Sequence, residues 1–215
     1  ENNDNEPEII KKRSEVIIEN SVFKISYNEN KEQPNWVEYT VKDFVKVADR
    51  GNMDFYLEDG VWTSNDADYI NNPWDKGHMA PAGSFTDSWS NLEQTFSFVN
   101  CALQKDNLNR GEWRELEEQV RDWAKNSGPV KVRIELKFSS ESVVLSTGAT
   151  IPDGFYDYSI VSNQNFKSIN GIYGNVLGLF KSSTYVSLTL TNNYLNYVSS
   201  NFFMCIIILL YLFTL

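Results

Sequence analysis

One histidine occurs among the 215 residues, within the stretch Trp74-Asp75-Lys76-Gly77-His78-Met79-Ala80-Pro81-Ala82. A neutral imidazole, with an ordinary pKa near ~6.5, can take a proton from water at neutral pH. It can equally hydrogen-bond both nitrogens inside a turn and do no chemistry. Asp75, three residues earlier, is either an orienting partner for the ring or a turn residue. A zinc cluster is excluded on ligand supply, because no second histidine or paired cysteine accompanies His78. Downstream, Asn107-Leu108-Asn109-Arg110-Gly111-Glu112-Trp113 opens a helical run. Asn109 can cap that helix, or offer its amide oxygen to a hard cation such as Mg²⁺. Glu117, about two turns further, falls on roughly the same face. There it can hold a metal-bound water or sit as a solvated acid. A base in a loop followed by an Asn-headed helix carrying an acid outlines a one-metal hydrolytic site.

Arg110, Arg114, Glu117 and Arg121 recur at helical spacing on one stripe. That stripe either grips phosphates or forms i,i+4 ion pairs with neighbouring acids. The formal net charge of −10 opposes long-range attraction to a polyanion, although a local basic groove can suffice. Between Lys105 and Lys137 there are 8 basic and 7 acidic residues, against 9 and 19 before it. A phosphate groove belongs in that least acidic part.

The elements that must position these residues read as α+β. The 41% hydrophobic and 14% aromatic content is that of a globular chain. Residues 1–15 are a polar lead-in, expected to be poorly ordered. Val16 to Tyr27 is strand-like, Asn28 to Lys31 a turn, and Val37 to Val41 a second strand, which together predict an antiparallel hairpin. Residues 92–104, with Phe96, Phe98, Val99 and Ala102, read as a buried strand. Trp113, Leu116, Val120, Trp123 and Ala124 predict a helix over about 110–126, with Asn109 and Glu112 as a capping box and Ser127-Gly128-Pro129 as its stop. Val130 to Phe138 alternates as a half-buried strand, and Val143 to Leu145 reads as the next one. Cys101 and Cys205 make no disulfide framework.

The motif Asp75-Lys76-Gly77-His78-Met79-Ala80-Pro81 resembles the signature of the DNA/RNA non-specific endonuclease family, where it usually reads Asp-Arg-Gly-His. Asn107 to Trp113, followed by Leu116-Glu117 and Val120-Arg121, is similar in order and spacing to that family's metal helix. Pro34-Asn35-Trp36-Val37 resembles its early strand, and Asp49-Arg50 with Phe55 its arginine segment. The likeness is clear over residues 22–155, within a single domain placed at 16–200. It implies a ββα-metal fold, with a mainly antiparallel sheet flanked by helices, and hydrolysis of phosphodiesters in DNA and RNA. By the same resemblance His78 is the general base, Asn109 the direct ligand of one Mg²⁺ (with Mn²⁺ as a substitute), and Glu117 the holder of its waters. Arg50 and Arg121 stabilise transition-state charge, and Lys76, Arg110 and Arg114 contact substrate. The metal neutralises the phosphate and lets a bound water protonate the leaving oxygen, so products carry 5′-phosphate and 3′-hydroxyl ends. A homodimer and a mitochondrial or secreted location are compatible with the family.

Three features depart from the pattern. Lys76 stands where arginine is usual, keeping the charge but losing bidentate geometry. Ala82-Gly83-Ser84 replaces the usual Ala-Ala-Asp. Beyond about Asp157 the family pattern can no longer be followed. No charged residue occurs from Ser182 to Leu215, and 201–215 form an apolar tail. The last 14 residues fall short of the roughly 20 that span a bilayer. A membrane tether, an atypical terminus and a buried terminal element are the three readings. Two alternatives to the nuclease stand beside it: a catalytically silent nucleic-acid binder, and a phosphodiesterase acting on nucleotides.

Overall fold

A computed structural model of the chain describes residues 11–161, with backbone alone from 160, and the backbone of 166–174 and 186–190. Its strands are β1 (Val16–Glu19), β2 (Phe23–Asn28), β3 (Gln33–Val41), β4 (Trp74–His78), β5 (Cys101–Lys105), β6 (Val130–Lys137), β7 (Gly154–Val161), β8 (Phe166–Gly174) and β9 (Val186–Leu190). Seven of them form an antiparallel sheet in the order β1-β2-β3-β6-β7-β8-β9, and β4 pairs with β5 in a separate two-stranded sheet. The α+β expectation holds.

The predicted hairpin is β2 with β3, but the stretch from Val16 to Tyr27 is not one strand: Val16–Glu19 folds back as β1 antiparallel to β2, with Val16 opposite Tyr27. Pro34, which has no N–H to donate, enters β3 opposite Tyr27, where the register shifts between Ser26 and Tyr27. A bulge tolerates proline because a ladder bond is already missing there. β6 alternates as its sequence does: Val130, Val132, Ile134 and Leu136 are buried, and the residues between them are at least partly open to water. Leu116, Val120 and Ala124, one turn apart on the long helix Arg114–Ser127, bury against this sheet. Fully burying such a side chain stabilises the fold by ~1.5–3 kcal/mol. Gly128, at φ 97°, ends the helix in a conformation that side chains resist.

Four further expectations need correction. Residues 92–104 are not one strand. Ser88 accepts from Asn91 N and starts a helix at Trp89–Gln94, and Ser97 accepts from Val99 N and starts a 3₁₀ turn at Phe98–Asn100, so only Cys101–Lys105 is extended. Val143 and Val144 are exposed and form a single bridge, Val144 with Thr150, so no strand exists there. The capping box at Asn109 does not form, because Asn109 is itself helical (φ −59°, ψ −45°) and a cap needs extended backbone. Part of the lead-in is tied down. Arg13 donates to Glu29 through Nε (2.8 Å), Nη2 (2.6 Å) and its backbone N (2.6 Å), and Lys12 pairs with Glu32 at 2.6 Å. Residues 1–10 and the apolar tail lie outside the described residues. Cys101 is free and buried, and Cys205 lies outside the described residues. Among the described residues no helix is long and apolar enough to cross a membrane.

Asp157 on β7 is a buried acid with Ser159 Oγ donating to it at 2.7 Å. Burial raises its pKa from 3.8 to about 7. The folded state therefore holds a proton that the unfolded chain releases, so the stability this group contributes is lost as pH rises through about 7. Asp157→Asn should exceed the parent by about 1–2 kcal/mol at pH 5, where the unfolded carboxyl is already ionised, and by on the order of a few kcal/mol at pH 8. Urea midpoints at the two pH values provide the check, and equal midpoints at pH 8 would refute the assignment.

Candidate active site

β4 delivers the histidine and β5 supports it, with His78 opposite Cys101 and Gly77 opposite Ala102. Gly77 is required by close approach, since a Cβ there would lie 2.1 Å from Gln104 Oε1. After His78 the chain is clasped by Asn100, a wholly buried residue. Ala80 N donates to Asn100 Oδ1 at 2.8 Å, and Asn100 Nδ2 donates to Ala80 O at 2.9 Å and Thr95 O at 2.8 Å.

The imidazole of His78 packs 4.6 Å from the Phe55 ring and 4.8 Å, edge to face, from Phe96. Nε2 is buried without a hydrogen-bond partner, and His78 lines the cleft. Burial, and then the charge of Arg50, lower the pKa from 6.5 to about 3. The ring is therefore neutral near pH 7 and able to accept a proton. Arg50 lies over the Phe96 ring at 5.1 Å. Its segment is pinned where Val47 N and Ala48 N both donate to Thr86 O, at 2.8 and 2.9 Å.

The other wall is the helical segment after β5. A turn at Asp106–Leu108 runs into a widened turn at Asn109–Trp113, where Gly111 breaks the helix (φ −107°, ψ −109°) before the long helix begins. The break corrects the predicted stripe, because Arg110 precedes it while Arg114, Glu117 and Arg121 follow. Arg110 turns to Asp75 instead, donating from Nε at 2.8 Å and Nη2 at 2.6 Å. The same carboxylate accepts from Asn109 Nδ2 at 3.0 Å. With Nδ2 committed, the amide oxygen of Asn109 is the atom left for the cleft.

Arg50, Lys76, His78, Asn109, Arg114 and Glu117 line one cleft of about 380 Å³. Six of the residues singled out from the sequence thus share a wall. Arg121 stands behind it: its Nη1 is 3.9 Å from Glu117 Oε2, and a Cβ on Gly83 would meet it at 3.3 Å. Burial lifts the Glu117 pKa from 4.5 to about 8 against the opposing pull of Arg121. Lys76 pairs with Asp54 at 2.9 Å and Asp66 at 2.5 Å, Lys46 with Asp49 at 2.9 Å, and Arg114 stands 3.8 Å from Glu118. Burial alone would lower the Lys76 pKa, but its two carboxylates raise it further than burial depresses it. Arg50 has no ion pair among the described residues.

Two structural roles escaped the sequence reading. From sequence, Asp75 reads as an orienting partner of His78 or a turn residue, and Asn100 falls inside a predicted strand. An asparagine inside an apolar run, with no turn around it, was the available signal for Asn100. Removing its amide leaves three buried backbone groups unpaired, each costing ~1–3 kcal/mol. Asn100→Ala should therefore lower stability by at least ~3 kcal/mol, measured by denaturant unfolding. A loss below about 1 kcal/mol would show that the clasp is not needed.

The sequence profile of a family described as DNA/RNA non-specific endonuclease matches residues 5–200, beyond the point near Asp157 where the motif reading stops. Mouse mitochondrial nuclease EXOG is 35% identical over 118 residues, 49% of this chain and 32% of that protein. Nuclease C1 of Cunninghamella echinulata var. echinulata is 28% identical over 174 residues, 73% of this chain and 69% of that protein. Human mitochondrial endonuclease G is 34% identical over 77 residues, 34% of this chain and 26% of that protein. The chain spans about a third of the length of the EXOG relatives. A crystal structure of an EndoG/EndoGI complex superposes with a TM-score of 0.69 at 21% identity, covering 79% of each chain, which establishes the shared fold.

Proposed function

This chain belongs to the DNA/RNA non-specific endonuclease family, and we propose that its cleft hydrolyses phosphodiester bonds in DNA and RNA with one Mg²⁺. The observation that carries the reading is a neutral histidine sharing one cleft with an asparagine oxygen, a carboxyl group and an unpaired arginine. A binder has no use for an imidazole held uncharged in that company.

The donor set fits a hydrated hard cation. Among the described residues no group of three or more His, Cys, Asp or Glu could enclose a metal ion. Mg²⁺ does not need such a cage, since it keeps several waters and takes few protein oxygens. Asn109 supplies one oxygen directly, and Glu117 would hold the waters. Glu117 is a partly buried acid, its side chain 21% exposed, whose pKa desolvation pushes to about 8, so a nearby dication would favour its ionised form. When bound, Mg²⁺ or Mn²⁺ supplies Lewis-acid neutralisation of the phosphate and of the leaving oxygen.

The chain's own residues do the rest. His78 Nδ1 accepts the proton of a water attacking phosphorus, provided the ring's own proton is on Nε2. Phe55 and Phe96 keep the ring dry and fix its plane. Arg50 donates to a non-bridging oxygen as negative charge builds. Arg121 acts from behind, holding Glu117 in place, and Asp75 aims the amide of Asn109. Attack of this kind breaks the bond to the 3′ oxygen and leaves a 5′-phosphate and a 3′-hydroxyl.

A second reading, hydrolysis of small diesters, is favoured by one observation: both lysines of the cleft are already paired with carboxylates. Cleavage of plasmid DNA and of RNA tests the first reading. Both substrates should be cut with Mg²⁺, and neither with EDTA or by His78→Ala, which should lose at least ~100-fold in kcat. A folded protein that leaves both intact, or a His78→Ala variant of full activity, would remove the proposal.

The histidine also sets a pH expectation. A base with its pKa lowered to about 3 stays deprotonated through the range where a free imidazole titrates. At saturating Mg²⁺, kcat should therefore show no acidic limb near ~6.5. A limb centred there that Phe55→Ala leaves unchanged would instead mean that the ring is solvated during turnover.

A further inference from the structure

The cleft's cations are not equally available. Lys46 is tied to Asp49, while Lys76 bridges Asp54 and Asp66. Lys76 is largely covered, at 24% exposure of its side chain, and its ammonium lies 5.8 and 5.5 Å from the rings of Phe55 and Phe98. Its two partners are open to water, at 71% and 64%. One positive charge facing two negative ones leaves a net −1 at the mouth. Beyond a few ångströms the field of Lys76 is cancelled, and a phosphate must displace a carboxylate to reach it.

We propose that Asp54 and Asp66 are specificity-determining residues that clamp Lys76 and weaken the cleft's grip on polyanions. Arg50 is then left as the cation that meets the reacting phosphate. The proposal rests on the reading of the cleft as a site of phosphodiester hydrolysis, and it makes the two aspartates a restraint on polymer binding. Each substrate phosphate that replaces a carboxylate gains one contact and breaks another, so its net gain is small. A single scissile phosphate held by Arg50 keeps its full interaction, whereas flanking phosphates add little.

The test is binding of a short, labelled single-stranded oligodeoxynucleotide, read by fluorescence anisotropy in EDTA over a range of NaCl. EDTA separates this outcome from the nuclease reading, which stands or falls on cleavage with Mg²⁺. Asp54→Asn with Asp66→Asn should bind about three- to tenfold more tightly at low salt, since freeing one exposed cation is a contribution of that order. The slope of log K against log salt should steepen by about 0.7, the value for one added cation on a single strand. Adding Lys76→Gln to that pair, which leaves the cluster neutral, should return the slope to the parent's and remove most of the tightening. A charge-matched pair away from the cleft, Asp59→Asn with Glu141→Gln, should tighten binding less than about twofold and leave the slope unchanged. An unchanged slope in the first pair overturns the proposal, as does equal tightening in the control pair. So does a fall in thermal midpoint without tighter binding, which would make the aspartates staples between loops.

Discussion

The Asp75 carboxylate accepts three hydrogen bonds, from Asn109 Nδ2 and from Nε and Nη2 of Arg110. Through them the strand that ends on His78 is fastened to the segment that carries Asn109 and leads to Glu117. Charge-assisted and partly bidentate, this is the strong class of hydrogen bond. Strand pairing alone would align β4 with β5 without fixing how the chain turns after Lys105. The widened turn at Gly111 leaves Arg110 on the Asp75 side of the break and sends Arg114 and Glu117 toward the cleft. Were the helix regular from Asn109 onward, Arg110 would follow the stripe of Arg114 and Arg121, and Asp75 would lose its guanidinium.

Burial does opposite things to the two acid–base groups, and both outcomes suit the chemistry. Desolvation disfavours whichever form is charged. For His78 that form is the imidazolium, so the ring is held as a base. For Glu117 it is the carboxylate, so the side chain is held short of a countercharge that Arg121, at 3.9 Å, only partly supplies. One low-dielectric wall thus prepares a proton acceptor on one side and a vacancy for positive charge on the other.

Much of this site was legible in the sequence because its residues are local to two motifs. His78 is a lone histidine, and Asn109 and Glu117 keep a spacing that survives the irregular turn between them. The orienting role of Asp75 was not legible, for a geometric reason. In a strand, residues i and i+3 point to opposite faces, so Asp75 cannot reach His78 and instead meets a residue 34 positions later. The periodicity of 92–104 misled for a related reason. Phe96 and Phe98 are buried by a loop, where Tyr56 N donates to Phe96 O and Phe98 N to Tyr56 O. Burial there comes from long-range closure, which local alternation does not report. The ion pairs of Lys76 join three segments, and no short-range pattern connects Asp54 and Asp66 to it.

The acidic surface and the least acidic segment meet at the cleft mouth. The helical wall contributes Arg114, with Arg121 behind it, and the acidic first half contributes Asp49, Asp54 and Asp66 beside Lys46, Arg50 and Lys76. Of these cations, Arg50 alone combines a place in the cleft, a fixed seat over Phe96 and no carboxylate within ion-pair distance among the described residues, although its charge also acts on Asp54. Guanidinium suits that seat, because its planar face can rest on an aromatic ring while its N–H edge stays free. The same stacking places it close enough to His78 for its charge to help keep the ring unprotonated. In the proposed reaction Arg50 would therefore act on both partners, depressing the proton affinity of His78 and presenting positive charge where the phosphate gains negative charge. A lysine there would lose the stacked face and the forked donors, and a carboxylate beside it would cancel both effects.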